Sequence, residues 1–250
     1  MLSRILAATG HRIHGETVVS AGDPAAIEAA RPLLEALLDS RPGALATALS
    51  AEHAASVDFG WSDTSRTIPG STGLVPPVLG TGSPAAAPWR ARWVRAGWLS
   101  ETADIDAMVL LAVSAGNAAK IARRTVARRT VVADGGWRPL TARLGEAGID
   151  YAVSGLIAAR ADRASAAAVN PVIYVADPAR AASELGLHEA RPGDGVLLIA
   201  AQNGELDRAE ADGGVRFVTQ AQGMLDAFAG SGREPDKAES ILRQLLAARA

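Results

Sequence analysis

The chain has no cysteine, and this absence excludes disulfide bonds, zinc sites built on thiolates and cysteine nucleophiles. Histidine is scarce as well, with four dispersed residues: His11, His14, His53 and His188. His11 and His14 could meet at a spacing of three residues, but none of the four lies on a predicted helix with a carboxylate at the spacing of a metal-ligand pair. We therefore interpret them as surface residues and predict no metal or other cofactor.

Long apolar runs are also missing. The longest uncharged run, residues 67–89, contains five prolines, so it cannot form a helix across a bilayer. Residues 107–119 are apolar, but this segment is too short to span one. The N-terminus has one arginine and no sustained apolar stretch before His11, which argues against a signal peptide. We expect a cytoplasmic protein with no membrane partner.

The net charge is only −2, and lysine is almost absent, since Lys120 and Lys237 are the only two. Positive charge is concentrated between residues 89 and 129, which hold eight basic and three acidic side chains. Residues 131–250 instead hold 12 basic and 16 acidic side chains. A basic segment beside an acidic half indicates that one part of the chain contacts an anion.

The N-terminal residues 1–56 are predicted to be helical. Residues 24–39 follow a capping aspartate and begin with proline, and residues 44–55 form an alanine-rich segment after a Pro-Gly break. Two short helices across such a break are compatible with a helix-turn-helix, and equally with any helical hairpin. Residues 57–88 lack periodicity and are rich in glycine and proline, so we predict a linker or a long irregular loop there.

The next segment, residues 89–136, is basic and connects the two halves. Tryptophan and arginine alternate within residues 89–98, and on a strand this pattern would form a basic wing for phosphate contacts. The alternative is that the tryptophans anchor a packed face and the arginines are solvated.

A second basic element is predicted at residues 117–129, as the continuation of a helix that begins at Ser100. A helix there would align Lys120, Arg124 and Arg128 on one face, which suits phosphate binding and is equally typical of an ordinary solvated face. The candidate DNA-binding residues are Arg90, Arg92, Arg95, Lys120, Arg123, Arg124, Arg128 and Arg129.

From residue 137 onward, strands alternate with helices. The pattern predicts helix 139–147, strand 149–153, helix 156–168, strand 172–175, a helix 179–185 capped by Asp177, strand 196–200, strand 215–218 and closing helices 220–228 and 237–248. Residues 137–250 are therefore expected to form a small α/β domain with a central sheet.

The start of this domain, a strand followed by Ser154-Gly155 and a helix, resembles the opening of the nucleotidyltransferase fold. In that fold the next strand carries two carboxylates, two residues apart, which hold metal ions on one face. The corresponding strand, Val172-Ile-Tyr-Val175, has no acid. We therefore predict a nucleotidyltransferase-like frame without catalytic acids, and no enzyme activity.

A second acid pair, Asp104 and Asp106, could lie on a strand and bind a metal in a divergent nucleotidyltransferase. If residues 100–115 form a helix instead, the two side chains point about 200° apart and cannot share an ion.

Several short motifs of the C-terminal half occur together in one order. They are Tyr151-Ala-Val-Ser-Gly155 with Ala158-Ala159, Val172-Ile-Tyr-Val175, Leu185-Gly-Leu187, Gly195-Val-Leu-Leu-Ile199, Asp212-Gly-Gly-Val215, residues 218–226 with Gln220 and Leu225, and Gly232-Arg233. Through them, residues 137–248 resemble the C-terminal domain of the AbiEi-type antitoxins of type IV toxin–antitoxin systems. The resemblance covers somewhat under half of the chain.

The resemblance implies a two-part protein. A winged-helix N-terminal domain would bind and repress the promoter of its own operon, and the C-terminal domain would oppose a nucleotidyltransferase-like toxin without holding it in a stable complex. The front of this chain departs from that pattern, because it lacks a clear winged-helix signature and contains residues 57–88. We expect an antitoxin-like transcriptional regulator. The alternatives are a divergent nucleotidyltransferase and a pure protein-interaction domain.

Overall fold

The chain is described by a computed structural model that covers residues 11–14, 17–20, 22, 24–38, 86–98, 104–160, 171–191 and 194–248. Within these residues the protein has eight α-helices, a two-stranded hairpin and a six-stranded mixed sheet. The predicted α/β class is thus confirmed. The predicted helix 44–55 and nearly all of the predicted linker 57–88 lie outside the described residues.

The strands are β1 (His11–His14), β2 (Thr17–Ser20), β3 (Arg128–Val131), β4 (Tyr151–Ser154), β5 (Val172–Val175), β6 (Val196–Ala200), β7 (Glu210–Asp212) and β8 (Val215–Phe217). Strands β1 and β2 form the hairpin, and the large sheet has the order β3-β6-β5-β4-β8-β7. Strands β5 and β6 are parallel, and β4 is parallel to β8, whereas the other pairs are antiparallel.

Local sequence explains several of these strands. Strands β5 and β6 are continuous apolar runs, as expected for parallel strands with both faces covered. Strands β7 and β8 join through Gly213 and Gly214, whose φ angles of 56° and 79° fit a tight two-residue hairpin turn. The predicted strands 172–175 and 196–200 and this turn are confirmed.

The helices are α1 (Pro24–Leu38), α2 (Ala87–Arg95), α3 (Ile105–Ala118), α4 (Trp137–Glu146), α5 (Leu156–Ala159), α6 (Pro178–Glu184), α7 (Gln220–Ala229) and α8 (Glu234–Ala247). Side chains cap three of them: Asp104 caps α3, Asp177 caps α6 and Thr219 caps α7 by accepting hydrogen bonds from first-turn N–H groups. The predicted cap at Asp177 is therefore confirmed.

The hydrophobic side chains of the described residues form two cores. The helical core joins α1, α2, α3 and α8 to α5 and α7, and the sheet core joins the strands to α4 and α6. All nine residues from Ala221 to Ala229 are buried. Helix α7 is therefore the central element. The helical core contains residues from both sides of the predicted boundary at residue 137. This boundary therefore does not separate the two cores.

The basic strand considered for residues 89–98 is not formed, because residues 89–95 belong to helix α2. The alternative, in which the tryptophans anchor a packed face, is confirmed. Trp89 and Trp93 are four residues apart, so they lie on the same face of a helix, and both are buried at 3% and 0% exposure. A tryptophan every fourth residue fits the period of a strand and that of a helix, and the packing of both indoles into the helical core decides between them.

The helix predicted at residues 117–129 was also wrong. Helix α3 ends at Ala118, a single 3-10 turn follows at Ile121–Arg123, and β3 begins at Arg128. Strand β3 pairs along its whole length with the apolar strand β6, so sheet formation overrides the helical pattern of the basic residues. The predicted row of Lys120, Arg124 and Arg128 on one helix face does not exist.

One stretch of the described residues, 105–123, is long and apolar enough by length and composition to cross a membrane. It contains α3, whose side chains Met108, Leu111 and Ala112 are buried in the helical core. Helix α3 packs against α1, α7 and α8. This packing accounts for the apolar composition of α3.

Two close helix contacts generate a prediction. A Cβ atom on Gly116 of α3 would overlap Phe228 of α7, and one on Gly223 of α7 would lie 2.7 Å from the Cβ of Ala158 in α5. Both overlaps include main-chain atoms. We expect Gly116→Ala and Gly223→Ala to lower the free energy of unfolding by on the order of 1–2 kcal/mol, because overpacking outweighs the better helix propensity of alanine.

The matched control is Gly145→Ala in α4, where an added Cβ would meet only Tyr151, at an ordinary 3.9 Å. This variant should be neutral or stabilised by up to about 1 kcal/mol. Urea denaturation measures all three variants. Equal stabilities for Gly116→Ala and Gly145→Ala would contradict the close packing of α3 on α7.

Candidate functional site

The predicted DNA-binding residues lie in four separate places. Arg90, Arg92 and Arg95 are on α2, where the guanidinium of Arg92 lies 5.6 Å from the centre of the Trp89 ring. Each of these three arginines takes part in an interaction within the protein. All three therefore already have a partner within the protein.

Lys120 has a structural position at the end of α7. Its Nζ donates hydrogen bonds to the carbonyl oxygens of Phe228, at 3.3 Å, and Gly230, at 3.1 Å. A cation at this end of a helix satisfies carbonyl groups and complements the helix dipole. Burial lowers the pKa of Lys120, although Glu234 opposes the shift.

Arg123, Arg128 and Arg129 are exposed at one edge of the sheet. Arg128 and Arg129 are neighbours on the edge strand β3, so their side chains leave on opposite faces, and Arg123 lies in the 3-10 turn before it. The Nη1 of Arg128 donates to the carbonyl oxygen of Ile121 at 3.1 Å. This contact ties the strand to the turn.

Arg124, predicted with the same group, is buried at 5% exposure and does not belong to this surface. Its Nη2 donates to Oδ1 of Asp226 at 2.6 Å, its Nη1 donates to the hydroxyl of Tyr174 at 2.6 Å, and its Nε donates to the carbonyl oxygen of Ala119 at 3.0 Å. Burial alone would lower the pKa of Arg124, but Tyr174 and Asp226 outweigh it and raise the pKa. Arg124 therefore stays charged inside the protein.

Asp226 on α7 is the centre of this buried network. Besides Arg124, its carboxylate accepts hydrogen bonds at Oδ2 from the hydroxyls of Ser154, at 2.6 Å, and Tyr174, at 2.9 Å, and from Nε2 of Gln222, at 3.0 Å. Ser154 ends β4 and Tyr174 lies in β5. These two side chains reach the same face of the sheet because β4 and β5 pair with Ser154 opposite Val172. The carboxylate thus joins α7 to the sheet.

Gln222 extends the network to α1. Its Oε1 accepts from Nε of Arg31 at 2.7 Å, and Nη1 of Arg31 donates to the carbonyl oxygen of Asn203 at 2.6 Å. Glu205, which is also buried, lies 3.8 Å from Nη2 of Arg31 and accepts from the N–H groups of Gln202 and Asn203. The chain of contacts therefore runs from α1 through α7 to β5.

This network is balanced in charge. It contains two buried arginines, Arg31 and Arg124, and two buried carboxylates, Glu205 and Asp226. The Oδ2 of Asp226 already accepts three hydrogen bonds, and Ser154 donates to a carboxylate, with its hydroxyl at 0% exposure. Among the described residues, no group of three or more histidine and acidic side chains could hold a metal ion. The network therefore has a structural role: it joins helices α1 and α7 to the sheet.

Sequence reasoning missed this network. Ser154 was read as part of a turn, Tyr174 as part of a strand, Asp226 as the end of a motif and Arg124 as one of several similar cations. The available signal was the occurrence of single polar residues inside apolar segments, since a buried polar group requires a partner. That signal does not identify the partner, because Arg124 and Asp226 are 102 residues apart in the chain.

The acid pair considered for a metal site is placed at the start of α3. Asp104 caps the helix, with its Oδ1 accepting from the N–H of Ala107 at 2.9 Å, and Asp106 pairs with Arg243 of α8 at 2.6 Å. The helical alternative for this segment is therefore confirmed, although the helix begins at residue 105 and not at Ser100. Each carboxylate has a structural role.

Comparisons with known proteins add no assignment: no protein-family model, no curated protein and no solved structure matches this chain.

Tyr174 generates a prediction on alkaline stability. Burial raises its pKa well above the ordinary value of 10.0, Arg124 opposes this shift, and Asp226 and Glu205 add to it. Because the pKa is higher in the folded state, the stability that Tyr174 contributes is complete below pH 10 and is lost as the pH rises through the folded-state pKa. We expect Tyr174 to ionise only when the protein unfolds.

The measurement uses Tyr151→Phe, because Tyr174 is then the only tyrosine left. Tyrosinate absorbance in an alkaline titration should rise together with the loss of circular dichroism, and the same variant in concentrated urea should ionise near pH 10. A reversible ionisation near pH 10 with the circular dichroism intact would show that Tyr174 is not enclosed as described.

Proposed function

We propose that this chain is a non-catalytic, antitoxin-like transcriptional regulator that binds duplex DNA through the basic edge formed by Arg123, Arg128 and Arg129. The observation that carries the DNA-binding half is the exposure of these three arginines in a stretch, residues 107–133, that contains no aspartate or glutamate. Arginine forks match the geometry of phosphate oxygens, and such contacts supply the sequence-independent part of DNA affinity.

The two other cations of this stretch are already engaged. Arg124 pairs with Asp226, and Lys120 is bound to the end of α7. The DNA surface is therefore narrower than the eight residues that the sequence suggests. Arg90 and Arg92 of α2 contribute less to this proposal, because they are half-buried.

The antitoxin half of the proposal rests on the resemblance of residues 137–248 to the AbiEi-type C-terminal domain. A cytoplasmic location goes with both halves. The rival proposal, a nucleotidyltransferase that uses Asp104 and Asp106, has weaker support. Asp104 caps α3 and Asp106 pairs with Arg243 of α8, so both carboxylates already have structural partners.

We expect the wild-type chain to bind a fluorescein-labelled duplex that carries the DNA upstream of its own gene, with an affinity that falls steeply between about 50 and 200 mM salt. Arg128→Gln/Arg129→Gln should weaken binding. It should also reduce the slope of log affinity against log salt by about 1.8, which corresponds to two phosphate contacts. Fluorescence anisotropy across a salt series measures both quantities.

The matched control is Arg180→Gln/Arg243→Gln, which removes the same charge from two exposed arginines in ion pairs elsewhere. This control should keep the wild-type slope. If both double variants lose affinity equally, net charge and not the basic edge would govern binding. If the wild-type chain does not bind at low salt, the DNA-binding half of the proposal is wrong.

The antitoxin half has its own test. Co-expression of this chain should restore growth to cells that express a nucleotidyltransferase-like protein encoded beside its gene, and the two proteins should not co-purify. Protection should persist in Arg128→Gln/Arg129→Gln, because the resemblance assigns it to the C-terminal half. A toxic neighbour that this chain leaves fully toxic would contradict the antitoxin assignment.

A further inference from the structure

We infer that Asp226 is a positioning residue for the basic edge: through Arg124 it fixes the turn of residues 120–124, and with it the exposed Arg123 and Arg128. This inference rests on the proposed DNA binding. It adds that a residue of the buried helix α7 determines the positions of two arginines on the DNA surface.

The side chain of Arg124 connects the turn to two other elements of the fold. Its guanidinium group binds the carbonyl oxygen of Ala119, which lies just before the turn, and also the Tyr174 hydroxyl and the Asp226 carboxylate. One side chain thus connects the start of the turn, its own position at the end of the turn, strand β5 and helix α7. All three hydrogen bonds are between 2.6 and 3.0 Å long.

The turn of residues 120–124 has few backbone hydrogen bonds of its own. Its backbone is held by two hydrogen bonds of the 3-10 type, from the N–H of Arg123 to Lys120 and from the N–H of Arg124 to Ile121. A single turn of this kind is marginal without tertiary contacts, because few hydrogen bonds offset the loss of backbone freedom. The bonds of Arg124 supply tertiary contacts that this segment needs.

The position of the turn also affects Arg123 and Arg128. Arg123 belongs to the turn, and Arg128 donates to the carbonyl oxygen of Ile121, which is in the turn as well. A displacement of the turn therefore changes the position of Arg123 and removes an anchor of Arg128. A phosphate surface whose cations are already in place loses less side-chain freedom on binding, so the tether should contribute to affinity.

Asp226 lies on a buried helix that packs against four others. Asp226 is 1% exposed, every residue of α7 from Ala221 to Ala229 is buried, and α7 contacts α1, α3, α5 and α8. Asp226 does not lie on the exposed basic edge, and Arg124 is its direct contact with the turn.

The experiment combines hydrogen exchange with DNA binding in three variants. Asp226→Asn removes the charge at constant shape. Arg124→Met/Asp226→Asn removes the tether without leaving an unpaired buried charge, and it keeps an oxygen for Ser154 and Tyr174, so it serves if Asp226→Asn does not fold. Glu205→Gln is the control, because it alters the other buried ion pair of the same network without touching the turn.

We expect both Asp226 variants to exchange their backbone amides at residues 121–129 at least about tenfold faster, while those of β5 keep their protection. DNA affinity and the salt slope should fall, the latter by about 0.9 for each phosphate contact that is lost. Glu205→Gln should show neither change in this segment and should bind DNA like the wild type.

Unchanged exchange at residues 121–129 in Arg124→Met/Asp226→Asn would overturn the inference. Faster exchange with wild-type DNA affinity and slope would overturn it as well, because the turn would then not position the DNA contacts. A loss of DNA binding in Glu205→Gln equal to that in the Asp226 variants would show a general effect of stability. Failure of the wild-type chain to bind DNA would overturn the proposed function itself, and that result is distinct from the other three.

Discussion

The pairing of Arg124 with Asp226 is the constraint on which the rest of this structure depends. Two opposite charges, at 4% and 0% side-chain exposure, meet 2.6 Å apart between a helix and a sheet. A buried charge without its partner is strongly unfavourable, so the elements that carry the two residues have to keep their separation and orientation. These elements are the turn after α3 and helix α7, and the hydroxyls of Ser154 and Tyr174 add β4 and β5.

The close packing around α7 follows the same logic. Gly116 and Gly223 allow α3 and α5 to approach α7 without side chains between them, and the apolar residues of α7 fill the helical core. The polar side chains of α7, Gln222 and Asp226, take up the contacts with α1 and the sheet. Helix α7 therefore supplies both the apolar contacts and the polar contacts that join the layers. The exposed arginines lie on elements next to this network: Arg123 is in the turn after α3, and Arg128 and Arg129 are on the edge strand β3.

Local patterns predict the parts of the fold that local chemistry decides. Strand β6 could be read from a continuous apolar run, α6 from Asp177-Pro178, and the β7–β8 turn from Gly213-Gly214. Tertiary contacts decide the rest. The period of Trp89 and Trp93 fits a strand or a helix until the core they enter is known. Arg124 looks like Arg123 and Arg128 in the sequence, and only the position of Asp226, 102 residues away, makes it a buried residue.

A double-mutant cycle tests the central claim most directly. Arg124→Met, Asp226→Asn and the double variant are compared with the wild type by urea denaturation. If the buried pair organises the fold, the double variant should be more stable than Asp226→Asn alone, and the coupling energy should be on the order of 2 kcal/mol. Additive effects of the two substitutions would contradict the account, because they would mean that the two charges do not depend on each other.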